Sequence, residues 1–281
     1  MNTAHASRYA VAKGMRTALP RSPFGRQLRQ WRTRRGWSQA QLADAAGTTP
    51  RHLSFVESGR SRPGVDLVLR LARALDLPIR ERNALCVAAG LPAAYQTRTL
   101  SDAALQPVLE IVERMLAAHD PYPGWLIGRG FRFLLANRAG EALMPGLCQS
   151  SPEQVVDLLF GPGPFRAQVE NWIDVAQVGL DLLRRELAAC DDPELAALWR
   201  RAQAHLGDAS PTRTGAGCPD DAPVVCPRFR VGEQVVRTIG TVMRFDTAIE
   251  QTTSELRLEL MFPADDQAAA FFREMAAAAH G

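Results

Sequence analysis

Residues 24–64, FGRQLRQWRTRRGWSQAQLADAAGTTPRHLSFVESGRSRPG, constrain the chain more than any other stretch: they spell two short helices around a tight turn, set among arginines. Ser38 is a good N-cap for the first helix, which carries Ala40, Leu42, Ala43, Ala45 and Ala46. Gly47 ends it, because glycine takes the left-handed conformation at little steric cost. Thr49 caps the second helix, with Pro50 at the first helical position, where a missing N–H costs nothing. Leu53 and Val56 form its inner face and Gly59 stops it, while Arg51, His52, Ser54 and Phe55 stand on the face turned away. A helix with an apolar spine and a hydrogen-bonding outer face, braced by a partner helix, suits the major groove of DNA.

Charge is distributed to match. Residues 1–64 hold 12 Lys and Arg against two acids, Asp44 and Glu57, whereas the remainder holds 21 Arg against 28 acids. The overall net charge of +3 therefore hides a basic N-terminal end and an acidic remainder. A basic end of this kind attracts the phosphate backbone and makes binding salt-dependent.

The segment SQAQLADAAGTTPRHLSFVESGRSRP resembles the helix-turn-helix of the lambda-repressor-like, Xre-type bacterial regulators, over roughly residues 24–91. The resemblance implies an all-α, five-helix head and a role for each aligned residue. Gln39 would touch a phosphate, while Thr49, Arg51, His52, Ser54 and Phe55 would lie along or near the groove. Arg60, Ser61 and Arg62 would hold the DNA backbone, and Arg32 would pair with Glu57 inside the domain. Pro50 stands where relatives often have a base-reading polar side chain, which shifts readout to Arg51 and His52. Arg51 has the fork that pairs bidentately with guanine. Phe55 has two readings, contact with a thymine methyl or packing against the loop.

A chain of 281 residues is long enough for more than one domain. Residues 1–22 read as a disordered basic arm, and helices are expected at 24–35, 38–46, 49–58, 65–75 and 79–89, completing a DNA-binding domain over 23–91. A polar, proline-containing linker follows at 92–104, an α+β domain at 105–265 and a helical tail at 266–281. In the α+β domain a helix over 102–118 precedes a hairpin, with Trp125 and Ile127 alternating before Gly128-Arg129-Gly130 and Phe131, Phe133 and Leu135 after it. Asn137 caps a short helix, helices run from 152 to 206, and 207–223 is a loop. Three further strands lie around Phe229–Val231, Val235–Phe245 and Leu256–Phe262. The economical assembly is a five-stranded antiparallel sheet with helices over one face and a helical insert between its second and third strands.

This part is similar to the PAS-like ligand-binding domain of the MmyB-like regulators, over about 105–265, on AHDPYPGWLIGRGFRFLLANRAGEAL, VENWIDVAQ and LRLELMFPAD. The resemblance implies a pocket for a small, fatty-acid-like molecule, although some relatives use the domain mainly to dimerise. Trp125, Phe133, Leu135, Trp172, Leu258 and Leu260 are the candidate pocket residues. Aromatic and aliphatic side chains at such spacings are also the usual makings of plain core, and pockets are themselves largely apolar.

Enzyme classes fall away by inventory. Lys13 is the only lysine and lies in the arm, so neither a Ser-Lys autoprotease nor a pyridoxal-phosphate Schiff base fits. The zinc-peptidase H-E-x-x-H and the G-x-S-x-G elbow are missing. Cys86, Cys148, Cys190, Cys218 and Cys226 are far apart, which argues for a reducing compartment and against a disulfide framework or a zinc site. No cofactor or metal is expected. The expectation is a cytoplasmic, nucleoid-associated, non-enzymatic homodimer that binds operator DNA and a small apolar effector. The alternative keeps the DNA-binding head and makes the C-terminal domain a dimerisation or protein-interaction platform without ligand.

Overall fold

The computed structural model describes residues 22–190, 192–207 and 224–278, so nearly all of the expected arm and of the 207–223 loop lie outside the described residues. The chain divides into two units. One comprises the described residues to Leu77 with Arg82–Ala94; the other comprises Pro78–Glu81 and the chain from Tyr95.

The first unit holds α1 (Pro23–Arg34), α2 (Gln39–Ala45), α3 (Pro50–Glu57), α4 (Val65–Ala74) and the part of α5 (Ile79–Ala88) from Arg82 onward. Their limits follow from local chemistry. Ser38 and Gln41 form a reciprocal capping box at the start of α2, and the Thr49 hydroxyl accepts the His52 N–H at the start of α3. Gly47 and Gly59 both adopt positive φ, +61° and +78°, where the chain leaves α2 and α3. Phe24, Leu28, Leu42, Leu53, Val56, Leu71 and Leu85 close into one buried core. Arg70 of α4 donates to the Ala46 and Gly47 carbonyls at 2.9 and 2.8 Å, securing the turn between α2 and α3.

The second unit begins with α6 (Gln106–His119), followed by β1 (Gly124–Gly128), β2 (Arg132–Ala136) and α7 (Arg138–Leu143). The insert is α8 (Pro152–Phe160), α9 (Pro164–Gln168), α10 (Trp172–Ala188) and α11 (Pro193–Leu206). Then come β3 (Arg228–Val231), β4 (Gln234–Arg244), α12 (Gln251–Ser254), β5 (Arg257–Pro263) and α13 (Asp266–Ala278). The five strands form one antiparallel sheet in the order β2-β1-β5-β4-β3, with the helical insert between the second and third strands as expected. Among the described residues no helix is long and apolar enough to cross a membrane.

Three features differ from the sequence expectation. Helices cover both faces of the sheet rather than one: α6 packs Val112 and Leu116 on Leu126 and Leu258, while the insert and α13 pack on Trp125, Ile127 and Met261. The cause is visible in β1, whose five residues are all buried, so both of its faces need cover. The expected linker is hydrogen-bonded from Gln96 onward, its carbonyl accepting the Gln251 N–H at 2.9 Å. Thr252 Oγ1 donates to the Arg98 carbonyl at 2.6 Å and accepts the Arg98 N–H at 3.1 Å. The expected tail is also part of the fold, for Ala268 and Phe272 of α13 are fully buried in the core of the insert-facing side.

Asn137 ties this unit together at the end of β2. Its Oδ1 accepts the Gly124 and Gly140 N–H groups, both at 2.9 Å, and its Nδ2 donates to the Leu116 and Tyr122 carbonyls at 3.1 and 2.8 Å. All four capacities of the buried amide are thus met. Asn137→Ala should lower the stability of this unit by about 3 kcal/mol, because backbone groups of three segments lose their partner; chemical denaturation monitored by tryptophan fluorescence measures it.

A second staple joins α8 to α11. Asp157 accepts two N–H groups of Arg201 at 2.6 and 2.5 Å and lies 2.8 Å from His205 Nε2. The hydrogen bond from Arg201, helped by His205, holds the Asp157 carboxyl down at about 2. A depressed carboxylate stabilises the fold above its unfolded pKa of about 3.9, and the contribution disappears as pH falls through the folded value. Wild type should therefore exceed Asp157→Asn in stability near neutral pH, the gap closing toward pH ~2. A gap that stays constant through acid titration would refute the assignment.

Candidate functional site

The helix α3 has two chemically distinct faces. Leu53 and Val56 are essentially inaccessible in the core, whereas Arg51 and His52 are exposed and Ser54 and Phe55 half-exposed. Arg60 and Arg62 in the following loop are exposed and Ser61 half-exposed. The loop turns back over the helix end, for the Phe55 carbonyl accepts the N–H groups of Arg60 and Ser61 at 2.8 and 3.2 Å. The sequence-expected groove residues therefore share one surface.

What fixes that surface is underneath it. Arg32 of α1 grips Glu57 at the end of α3 with both prongs, Nε to Oε1 at 2.7 Å and Nη2 to Oε2 at 3.1 Å, and both side chains are buried. The Arg32 Nη1 donates to the Trp37 carbonyl at 2.6 Å, so the cation also holds the segment before α2. Gln39 opens α2 and donates from Nε2 to Glu57 Oε2 at 2.7 Å. In the structure, then, the amide expected at a phosphate is half-buried and commits one donor to Glu57 of α3. Thr49 likewise uses its hydroxyl oxygen as the cap of α3.

Gly25 is a contributor that no sequence motif singles out. A Cβ at this position would overlap the Glu57 carbonyl oxygen, so α1 reaches the end of α3 only because residue 25 has no side chain. Its signal, a lone glycine one turn into a helix, is indistinguishable from an ordinary tolerated glycine without the packing.

In the second unit the candidate pocket residues separate onto two faces. Trp125, Phe133 and Trp172 share the core between the sheet and the insert, together with Phe131 and Phe160. Leu135, Leu258 and Leu260 lie in the core under α6. The expected single row fails at one position: Leu126 pairs with Leu135 but Ile127 pairs with Phe133, an irregularity that leaves Leu134 as the extra residue. One extra residue reverses the side-chain alternation beyond it.

The same register turns Arg257, Glu259 and Met261, not the leucines of β5, toward the insert. Arg257 is 2% exposed. It donates to Glu186 Oε1 at 2.8 Å and Glu259 Oε1 at 3.0 Å, with its guanidinium 5.6 Å from the centre of the Phe131 ring. Glu186 in turn accepts the Gly130 N–H at 3.0 Å, fixing a turn in which Gly130 and Phe131 both have positive φ, +64° and +59°. Trp172 is anchored through its indole N–H to the Leu159 carbonyl at 2.9 Å and lies beneath Arg166, 4.0 Å from the ring centre. Along α10, Ile173, Val175, Leu180 and Leu182 are only partly buried against this core, and Val178 is 43% exposed.

The family described as MmyB-like transcription regulator ligand binding domain matches residues 108–275, and the helix-turn-helix family matches residues 28–82. No curated protein matches the chain.

The Arg32–Glu57 geometry sets two expectations for the stability of the head. Arg32→Met should cost about 3–5 kcal/mol by leaving Glu57 buried and unpaired, and the Arg32→Met/Glu57→Leu double variant should recover part of that loss. Independently, Gly25→Ala should destabilise by about 1–3 kcal/mol through overlap with backbone that cannot move aside. Thermal unfolding of the purified variants tests both, and additive effects of the two single substitutions at 32 and 57 would contradict the pairing.

Proposed function

The chain belongs to the MmyB-like transcription regulators, DNA-binding proteins with a ligand-binding domain, and on that premise we propose that α3 reads an operator in the major groove while the second unit senses a small apolar molecule. The observation that carries the DNA reading is the opposition on α3 between a fully buried Leu53/Val56 edge and an exposed Arg51/His52 edge, held rigid by the Arg32–Glu57 pair. In this reading Arg51 pairs with a guanine edge, with His52 and Ser54 beside it. Phosphates are held by Arg60, Ser61 and Arg62, by the second N–H of the Gln39 amide and by the hydroxyl proton of Thr49. One such head covers half a site, so the regulator acts as a homodimer, its recognition helices about 34 Å apart on one side of the duplex. It works at the nucleoid in the cytoplasm and has no catalytic step.

The effector reading is supported by α10. This helix packs Trp172, Ala176 and Leu183 inward yet keeps Ile173, Val175, Val178, Leu180 and Leu182 incompletely buried, more apolar circumference than its core contact uses. An apolar ligand lying beside Trp172 along the flank of α10, over the core floored by Trp125 and Phe133, would cover part of that circumference. Leu135, Leu258 and Leu260 act from the other face, as its α6-packed backing. Ligand changes DNA binding only through a difference in affinity between two arrangements of the protein.

Binding to operator DNA selected from random sequence tests the first half. Arg51→Ala should cost about 1–3 kcal/mol on the best operator and relax preference at one base pair, whereas Arg60→Ala should weaken all sequences alike and flatten the salt dependence. Unchanged affinity and preference in Arg51→Ala would overturn the assignment of α3. Solvent extraction of the purified chain followed by mass spectrometry tests the second half: a stoichiometric apolar compound is expected, and a polar one would refute the apolar reading.

A further inference from the structure

Phe55 is the one large apolar side chain on the outer surface of α3, and two cations lie over its ring. The Arg51 guanidinium carbon lies 5.5 Å from the centre of its ring and that of Arg60 lies 5.9 Å from it. Arg51 is one helical turn earlier on α3, whereas Arg60 arrives from the loop. It comes over the ring because the Gly59 backbone, at φ +78°, returns the chain onto the Phe55 carbonyl. The same carbonyl accepts the Arg60 N–H at 2.8 Å, the Ser61 N–H at 3.2 Å and the Ser58 hydroxyl at 3.1 Å. Backbone and ring of one residue thus organise both ends of the candidate DNA surface.

We propose that Phe55 is a positioning residue that reads no base itself: its ring orders the Arg51 and Arg60 guanidinium groups before DNA arrives. This rests on the reading of α3 given above and assigns Phe55 its mode of action within it. A free arginine loses considerable rotamer freedom when it is fixed against DNA. A ring face attracts a guanidinium electrostatically and holds it over the ring plane, so that part of this ordering is complete in the unbound protein. Because one ring serves both cations, base reading by Arg51 and backbone binding by Arg60 should depend on it together.

Two substitutions separate this role from direct contact with a thymine methyl. Phe55→Leu keeps an apolar side chain that can meet a methyl group but removes the ring; Phe55→Tyr keeps the ring. The full chain and both variants are titrated against the operator selected by the wild type, against single-base-pair variants of it, and over a range of salt concentrations. Phe55→Leu should bind about 5- to 20-fold more weakly, lose discrimination at the same base pair that Arg51→Ala relaxes, and show a salt slope lowered by about one ion. Phe55→Tyr should stay within about twofold of wild type. A purely structural role would lower the melting temperature without changing preference at that base pair. Should Phe55→Leu fold poorly, the tyrosine variant still decides: loss of base discrimination in Phe55→Tyr overturns the proposal. Equally, it is overturned if Phe55→Leu keeps discrimination at the Arg51 position and loses only a preference for thymine elsewhere. A wild type that selects no sequence at all would instead remove the parent reading, and this one with it.

Discussion

The buried ion pair between Arg32 and Glu57 is the interaction on which the head depends. Glu57 is the last residue of α3, and its carboxylate accepts from α1 through Arg32 and from the start of α2 through Gln39, so one anion fixes the helix that presents Arg51 and His52. A carboxylate is costly to bury unless nearly all its acceptor sites are filled. Here they are filled by a bidentate guanidinium and an amide, and the geometry is good enough for the pair to define a position rather than merely be tolerated. Gly25 is the steric counterpart, permitting α1 to approach the same helix end.

Much of this was legible in the sequence because helix limits are written locally. Ser38, Thr49, Pro50, Gly47 and Gly59 each act on their own backbone within a few residues, and the helices begin and end beside them. Arg32 and Glu57 are 25 residues apart, and their pairing came from a family likeness, not from any local signal. The close approach at Gly25 had no distinguishing signal, since what forbids a side chain there is the backbone of Glu57.

The sheet was legible in strand number and in the place of its helical insert but not in its faces. Facing is settled by pairing, and the irregularity between Leu126 and Ile127 moves Phe133 and Leu135 to opposite sides of a strand that reads as simple alternation. In β5 the leucine row looks like the natural inner face, yet the row of Arg257, Glu259 and Met261 meets the insert. The charge at Arg257 is met by two carboxylates, Glu259 two residues along the strand and Glu186, 71 residues away in α10. No local pattern encodes the second of them. The same holds for the stretch beginning at Gln96, polar enough to read as a connector but hydrogen-bonded to Gln251 and Thr252.

A structure of the full chain bound to the operator it selects from random DNA tests the assignment of the recognition surface most directly. It should show α3 in the major groove, the Arg51 guanidinium within hydrogen-bonding distance of a guanine edge, and the Arg32–Glu57 pair unchanged beneath it. A complex in which α3 faces solvent, or in which DNA engages the head only after that pair has opened, would contradict the account.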